Sequence, residues 1–322
     1  MSLARRTLLA TALLPLGAQA QAPEFPSKSL TLVISYPPGG IVDTVGRRVA
    51  ERLGAILGKP VVVENRGGAG GNIAASAVSK APADGHTLLF CTYATLSIAA
   101  AAGTRLDFDP LRSLTAVAPI GPLTVLLVVR NDFPARTIEE FVAYARAHPG
   151  TVNFGSIGVG SSYHLALEQL KALSRTDITH VPYRGGAAAM TDLLGGRLDA
   201  MLGTWSMTRP HLQEGGFRAL ALANDSRASV LPNLPTVAEH AVPGARLVDG
   251  LGIFTPAGTP AAVVQRLNAA VRQILAEPAM AEWLTQQGTP PTPLSAADFG
   301  AMMQADTSML SDLIRTYHIS VE

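Results

Sequence analysis

The chain is poor in cysteine, in aromatic residues and in charge. Its one cysteine, Cys91, cannot form an internal disulfide, so the protein must rely on a packed core and not on crosslinks. Charged residues make up 15% of the 322 residues and aromatic residues 5%, and there is no long run of Lys or Arg. That scarcity argues against binding to nucleic acid or to an anionic membrane. Cys91 itself lies in the apolar run HTLLFCTY, where we expect it to be buried.

Residues 1–20, MSLARRTLLATALLPLGAQA, follow the pattern of an export signal. Arg5 and Arg6 precede a short apolar core, and the final residues AQA match the A-x-A pattern, so we expect cleavage after Ala20. The apolar core is too short to span a bilayer. The arginine pair also fits a twin-arginine signal, but general export is favoured because nothing downstream indicates a cofactor. Removing the two arginines leaves 23 Lys and Arg against 24 Asp and Glu, a net charge of −1.

Beyond this segment the chain alternates between strand, glycine loop and helix. TLVISY (31–36) has the composition of a buried strand, and Val42, Val45, Val49 and Leu53 then recur at helical spacing. The same order returns several times further along, which predicts mainly parallel sheets with helices on both faces. Six or more such units are too many for one small sheet, so we predict an α/β fold with two domains.

Strand-like segments at 124–129 and 247–254 bracket the middle group of these units. We interpret them as two crossings between domains. One domain then comprises 27–125 plus 248–322, and the other comprises 126–247. With two strands as hinges, the domains can close over a ligand held in the cleft between them.

Four loops at predicted strand ends are rich in glycine and small polar residues, namely PPGG (37–40), GSIGVGSS (155–162), YRGGA (183–187) and LGTWS (202–206). Ligands of open α/β sheets bind beyond the carboxyl ends of the strands, where helix N-termini offer free N–H groups. A small anion is therefore predicted. Phosphate is disfavoured, because Ser161 stands where a nucleotide P-loop has its lysine. A carboxylate held by neutral donors fits better.

The sequence has no strong catalytic or metal-binding pattern. No serine lies in a G-x-S-x-G elbow, and the seven histidines are scattered without H-x-x-x-H spacing or cysteine partners. We therefore predict no catalytic residue, no metal site and no cofactor. An exported serine hydrolase that uses Ser161 and His164 is the less favoured alternative.

Four further side chains have both a ligand-binding and a structural interpretation. Asp43 is well placed to cap the first helix and to pair with Arg47, and in the cleft it would meet a hydroxyl or amino group of the ligand. Arg184 suits a second ligand carboxylate and a solvated rim equally well. Tyr183 and Thr204 fall at strand ends, where contact with the cleft is slightly favoured over packing.

Taken together, these motifs resemble the periplasmic solute receptors of tripartite tricarboxylate transporters, also called Bug receptors. The resemblance covers nearly all of residues 28–300, in order and at family-like spacing. Its main matches are YPPGGIVDTVGRRVAERLG, PVVVENRGGAGGNIAASAVSKAPADGHTLL, PARTIEEFVAYARAHPGTVNFGSIGVGSSYHLALE, VPYRGGAAAMTDLLGGRLDAM, LPNLPTVAEHAVPG and GIFTPAGTPAAVVQRLNAAV.

The resemblance implies a two-domain venus-flytrap fold of the periplasmic-binding-protein class, type II-like. It implies a monomer in the periplasm that captures a small organic acid and delivers it to membrane permease subunits, with no nucleic-acid partner. In such receptors the loops matching PPGG and GSIGVGS hold one ligand carboxylate, and those matching YRGGA and LGT line the rest of the pocket. The residues that these matches nominate are Pro38, Gly39, Gly40, Ser156, Gly158, Gly160, Ser161, Tyr183, Gly185 and Thr204.

The chain also departs from the family pattern in places. The segment after the third strand reads CTYATLS where the family often has G-T-x-G-T-H, and LGT lacks the acidic residue that many relatives have after that strand. The ligand is therefore left open among monocarboxylates, dicarboxylates, tricarboxylates, aromatic acids and amino acids. A carboxylate sensor that acts on a membrane sensor kinase is an equally compatible alternative to transport, because both need the same closing domains.

Overall fold

The computed structural model describes residues 25–320, so the predicted export signal lies outside the described residues. Strands and helices alternate along this part of the chain, as the sequence pattern predicts. The strands are β1 (Leu30–Ile34), β2 (Val61–Asn65), β3 (Thr87–Thr92), β4 (Leu114–Pro122), β5 (Val125–Arg130), β6 (Asn153–Ser156), β7 (Thr179–Pro182), β8 (Ala200–Thr204), β9 (Phe217–Leu222) and β10 (Gly250–Pro256). The helices are α1 (Ile41–Leu57), α2 (Asn72–Ser79), α3 (Ala94–Ala101), α4 (Ile138–Ala147), α5 (Ser162–Ser174), α6 (Gly186–Leu194), α7 (Trp205–Gln213), α8 (Val237–His240), α9 (Ala261–Ala276), α10 (Pro278–Gln286) and α11 (Ala296–Tyr317).

The strands form two five-stranded sheets of the same design. The first has the order β2-β1-β3-β10-β4 and the second the order β7-β6-β8-β5-β9. In the first sheet only β10 runs against its neighbours, and in the second only β5 does. Each sheet is therefore mixed, because four of its strands run in one direction but two of its four pairings are antiparallel. The single reversed strand is the one that the chain enters on arriving from the other sheet.

The two crossings between the sheets lie side by side. One connects β4 to β5 and the other connects β9 to β10. The amide of Leu123 donates to the carbonyl of Asp249 over 3.1 Å, which joins the two crossings directly. The side chain of Asn224 accepts from the amide of Val125 at 2.9 Å and donates to the carbonyl of Leu123 at 2.8 Å. The backbone groups of the two crossings are thus hydrogen-bonded where the chain leaves each sheet, and these bonds join the two crossings to each other.

The first helix packs as its periodicity predicts. Val42, Val45, Val49 and Leu53 are all buried, while the arginine and glutamate side chains of α1 face solvent. Burial of such an apolar face against the sheet supplies most of a helix's stability in a protein. Gly58 ends the helix in the left-handed conformation, where glycine has no steric penalty. This packing holds the N-terminus of α1 in a fixed position at the carboxyl end of β1.

The core continues from one sheet to the other. A single cluster of buried apolar side chains includes Val45 and Leu53 of the first unit and Phe154 and Leu202 of the second. Cys91 is fully buried and unpaired, as expected for a packing residue. No helix within residues 25–320 is both long and apolar enough to cross a membrane.

Candidate ligand-binding cavity between the two sheets

A cavity of about 530 Å³ lies between the two sheets, a volume typical of small-molecule sites. Both sheets and both crossings contribute to its wall. The lining residues are Tyr36, Pro37, Pro38, Gly39, Gly40, Ile41, Val42, Thr44, Thr92, Leu123, Ile157, Tyr163, Arg184, Gly185, Gly186, Ala187, Ala188, Thr204, Ser206, Met207, Asp249 and Gln287. Most of them are apolar or small, so the few polar and charged groups determine what the cavity can bind.

The N-terminus of α1 forms one part of the wall. Gly40 is its N-cap residue and provides no side-chain cap, while Gly39 has a φ of 93°, in the region that favours glycine. Within residues 25–320, the amides of Gly40 and Ile41 find no hydrogen-bond acceptor. These N–H groups, together with the positive end of the helix dipole, are suited to an anion.

Two more helices begin at the same cavity. Gly185 and Thr204 are the N-cap residues of α6 and α7, and neither provides a side-chain cap. The two helix starts are packed together, because a Cβ atom on Gly186 would lie 2.8 Å from the sulfur of Met207. The first-turn amides of Gly186 and Ser206 also find no acceptor among the described residues. Three helix N-termini with unpaired N–H groups therefore line one small cavity, and each gives its part of the wall a positive potential.

A buried carboxyl group, that of Asp249, lies elsewhere in the cavity wall. Asp249 is 3% exposed and immediately precedes β10 in the crossing from the second sheet. Its Oδ2 accepts from Ser162 Oγ at 2.6 Å, and its Oδ1 accepts from the amide of Gly250 at 2.9 Å. Burial raises the pKa of Asp249 to about 7, although both hydrogen bonds lower it. Sequence reasoning missed this residue, because LVDG matches no functional motif.

Two tyrosines share the cavity wall with this carboxyl. Tyr36 and Tyr163 both line the cavity, and Tyr36 Oη donates to the carbonyl of Gly70 at 3.1 Å. Burial, and after it the negative charge of Asp249, raises the pKa of both tyrosines above the usual value of a phenol. Both phenols are therefore neutral at physiological pH. These two tyrosines were also not among the predicted site residues.

Five of the nominated residues line the cavity: Pro38, Gly39, Gly40, Gly185 and Thr204. The structure brings them together from both sheets. Arg184, which the sequence left undecided, also lines it and is exposed. Among the described residues of the wall, Arg184 and Asp249 are the ones that carry a formal charge.

Asp43 is not among the residues of the cavity wall, so its contact with a ligand stays a prediction. Its carboxylate accepts from the Gly39 amide at 3.0 Å, from Arg47 Nε at 2.9 Å and from Asn65 Nδ2 at 2.9 Å. Burial would raise the pKa of Asp43, but these hydrogen bonds together lower it. The Gly39 amide thus donates to Asp43, and this hydrogen bond holds the PPGG loop against the first turn of α1.

The loop that contains Ser156, Gly158, Gly160 and Ser161 uses its polar groups internally. Ser156 Oγ lies 2.7 Å from His180 Nε2 and accepts from the Gly158 amide at 3.1 Å. Ser161 Oγ donates to the Gly158 carbonyl at 2.6 Å and caps α5. Of this loop only Ile157 reaches the cavity wall, so ligand contact by the four nominated residues stays a prediction.

The backbone of this loop packs against Gly70 instead. A Cβ atom built on Gly70 would lie 3.6 Å from the carbonyl of Val159 and from the amide of Ser161. The loop therefore touches the 66–71 segment of the first sheet, beside the cavity. This contact depends on the meeting of two distant loops, and the sequence pattern does not show it.

Tyr183 likewise has a partner away from the cavity. Its hydroxyl donates to Asp192 Oδ2 at 2.7 Å, and Asp192 also accepts from Arg197. Burial and the bond to Asp192 raise the pKa of Tyr183 to about 12. Because its hydroxyl is already bonded to Asp192, ligand contact by Tyr183 stays a prediction.

The geometry around Ser161 and His164 does not form a nucleophile and its base. Ser161 Oγ accepts from the backbone amide of His164 and makes no hydrogen bond to its ring. The His164 ring stacks on His180 with centroids 4.1 Å apart, and burial, followed by the charge on His180, lowers the pKa of His164 to about 4. Within residues 25–320, no group of three His, Cys, Asp or Glu side chains is arranged to hold a metal ion.

Comparison with known proteins matches this architecture. The family described as "Tripartite tricarboxylate transporter family receptor" matches residues 45–319. The chain is 35% identical over 297 residues to the "UPF0065 protein in tcbD-tcbE intergenic region" of a Pseudomonas species, covering 92% of this chain and 88% of that protein.

Two solved structures from Rhodopseudomonas palustris are similar over their whole length. One, of Rpa4515 with adipate, has a TM-score of 0.87 and 32% identity, and the match covers 92% of this chain and 99% of that one. The other, of MatC with bound malate, has a TM-score of 0.83 and 33% identity, with 90% and 100% covered. The predicted two-domain periplasmic-binding-protein fold is confirmed. The chain therefore belongs to the tripartite tricarboxylate transporter receptor family, a family of periplasmic binding receptors and not of enzymes.

Proposed function

We propose that this chain captures a small organic acid in the cavity between its sheets and delivers it to the permease of a tripartite transporter. The observation that carries the proposal is the convergence of the α1, α6 and α7 N-termini on one cavity. Their unpaired N–H groups suit a carboxylate without any need for a lysine. Two of the similar solved structures hold adipate and malate, both carboxylates, as ligands of those proteins.

In this proposal the carboxylate meets the cavity-lining residues Pro38, Gly39, Gly40, Gly185 and Thr204. Gly39 contributes its Cα atom to the wall and no N–H donor, since its amide is bonded to Asp43. Gly40 supplies an N–H donor. A micromolar dissociation constant corresponds to about −8 kcal/mol, and several charge-assisted bonds of roughly 1.5–3 kcal/mol, less the cost of ordering, are enough for it.

The same proposal includes two domains that close on the ligand, 27–125 plus 248–322 and 126–247. Sheet membership supports this division, since β1 to β4 and β10 form one sheet and β5 to β9 form the other. The paired crossings around Leu123 and Asp249 then act as the hinge. The proposal also includes export to the periplasm with cleavage after Ala20, which the intact mass of the protein purified from a periplasmic fraction tests directly.

A thermal-shift panel of small organic acids and their primary amides tests the carboxylate proposal. We expect at least one free acid to raise the melting temperature while its amide does not, because the amide lacks the charge that the helix N-termini bind. Mass spectrometry after denaturation identifies any copurified ligand, which is then removed by unfolding and refolding before the screen. If folded, ligand-free protein responds to no free acid, the carboxylate proposal is wrong.

A further inference from the structure

The carboxyl group of Asp249 has no counter-ion in the described part of the chain. It is buried in the cavity wall, and its two partners are the hydroxyl of Ser162 and the amide of Gly250. The titratable groups that its charge affects are Cys91, Tyr36, Tyr93 and Tyr163. They lie on or beside β1, β3, α3 and α5, and all of them are neutral at physiological pH because burial raises the pKa of each.

The fold therefore buries an acid without pairing it. An uncompensated buried carboxylate destabilises a protein, and such groups are normally paired or neutral. Arg184 is an exposed residue of the same cavity wall and makes no ion pair with Asp249. A charge that the protein leaves unpaired inside a ligand cavity is available to a ligand.

The two kinds of charge in the cavity belong to different structural elements. The positive potential comes from the starts of α1, α6 and α7, and the negative charge comes from the crossing that carries Asp249. A ligand with a single type of charge would leave either the helix N-termini or the Asp249 carboxylate without a partner of opposite charge. A ligand with a carboxylate at one position and an ammonium group at another would satisfy both.

The surroundings of the carboxyl also favour a cation. Tyr36 and Tyr163 line the cavity near Asp249, and the electron-rich faces of aromatic rings attract ammonium groups. A carboxylate in the same cavity wall as two phenols, with no ion-pair partner among the described residues, is a chemically suitable site for a protonated amine. A second ligand carboxylate would instead be repelled wherever Asp249 is ionised.

Resting on the proposed function, we infer that Asp249 selects ligands that carry a protonated amino group in addition to the carboxylate, which makes amino acids the favoured class. Ser162 positions the carboxylate through its hydrogen bond from the first turn of α5. The carboxylate of the ligand goes to the helix N-termini, and its ammonium group goes to Asp249.

This arrangement couples binding to a proton. Because the Asp249 carboxyl titrates near pH 7, an ammonium ligand that requires its ionised form binds more tightly as the pH rises through that value. Between pH 6 and pH 8 the ionised fraction of a group with a pKa of about 7 rises about tenfold. A ligand carboxylate that required a neutral Asp249 as donor would show the opposite dependence.

The test uses isothermal titration calorimetry of the mature protein with matched triads of ligands. Each triad contains an amino acid, the monocarboxylate that lacks its amino group, and the dicarboxylate of the same length, over several chain lengths. We expect an amino acid to bind at least tenfold more tightly than its monocarboxylate at pH 8, and its affinity to fall about tenfold on going to pH 6.

Two variants complete the experiment. Asp249→Asn should abolish the preference for the amino acid and its pH dependence, while the monocarboxylate binds at least as tightly as it does to the unaltered protein, because a negative charge has been removed from the cavity wall. Asp306→Asn is the matched control, because Asp306 is an acid whose pKa burial also raises but which does not line the cavity. It should behave like the unaltered protein in every titration.

The outcomes separate the two proposals. If a dicarboxylate binds best, weakens from pH 6 to pH 8 and still binds Asp249→Asn, then Asp249 acts as a neutral donor and the inference is wrong, while the proposed function stands. If monocarboxylates and amino acids bind equally at every pH, the inference is also wrong. If no carboxylate of any kind binds, the proposed function fails first.

Discussion

Ser162 Oγ donates a 2.6 Å hydrogen bond to Asp249 Oδ2, and this bond joins the first turn of α5 to the crossing that returns to the first sheet. Both side chains are buried. The bond therefore couples the hinge region to a helix of the second sheet. It also fixes the one acidic side chain of the described cavity wall in a defined orientation.

Ser162→Ala should lower stability by about 1.5–3 kcal/mol at pH 8, where Asp249 is ionised and the bond is charge-assisted. The pKa of Asp249 should rise, because the hydrogen bond from Ser162 lowers it. Urea unfolding at several pH values measures both effects. In the Asp249→Asn background, Ser162→Ala should lower the free energy of unfolding by much less. An equal loss in both backgrounds would show that the two residues do not act as a pair.

Asp249→Asn should make the protein more stable at pH 8 in the absence of ligand. Asp249 has a pKa of about 7 in the folded state against 3.8 as its ordinary value, so ionisation favours unfolding by up to about 4 kcal/mol once the pH exceeds both values. The sign follows from linkage, because the unfolded state loses its proton first. The carboxyl's contribution is fully favourable below pH 3.8 and is lost as the pH rises to about 7.

The measurement for this variant is the free energy of unfolding from pH 4 to pH 9 by urea titration. The gain in unfolding free energy of Asp249→Asn over the unaltered protein should grow from pH 4 to pH 7 and then level off. Asn can still accept from the Gly250 amide and donate to Ser162, so its packing is conserved. A variant that is uniformly less stable at every pH would contradict the prediction.

Ile41→Pro should weaken carboxylate binding without unfolding α1. Ile41 is the first helical residue, where proline is well tolerated, and Gly40 before it is extended, as a residue preceding proline should be. The substitution removes one N–H donor from the cavity wall, so we expect about a tenfold or greater loss of affinity for the ligand acid. Ile41→Ala, which shortens the side chain but keeps the amide, is the control in the same calorimetric titration.

Asp43→Ala should destabilise the protein by about 1–3 kcal/mol at pH 7, because it leaves the Gly39 amide and Asn65 without their shared acceptor. The hydrogen bonds to Asp43 lower its pKa in the folded state, so its contribution is present above the unfolded value of 3.8 and disappears as the pH falls. Thermal unfolding at pH 7 and pH 3 checks this dependence. Arg47→Ala removes only a partly exposed partner and should cost less than about 1 kcal/mol.

A helix with one solvated face could be predicted from its periodicity, and a helix buried on every side could not. Helix α1 shows its buried stripe in the spacing of Val45 and Val49. Helix α3 gives no such signal, because Ala94 to Ala99 are all buried and the sequence is apolar on every side. Strand β4 contains Pro119 and Pro122, which argue against a strand, but β4 lies at the edge of its sheet, where proline is tolerated.

The sequence by itself determined the repeated α/β units, the two crossings and the glycine-rich starts of α1, α6 and α7, because periodicity, glycine and proline act over a few neighbouring residues. Only the tertiary structure decided which loops meet. It packs the backbone of the 155–161 loop against Gly70, so that only Ile157 of this loop lines the cavity, and it places Asp249 in the cavity wall together with Tyr36 and Tyr163. The burial and charge balance of a side chain depend on segments that are distant in sequence, so no local pattern contains them.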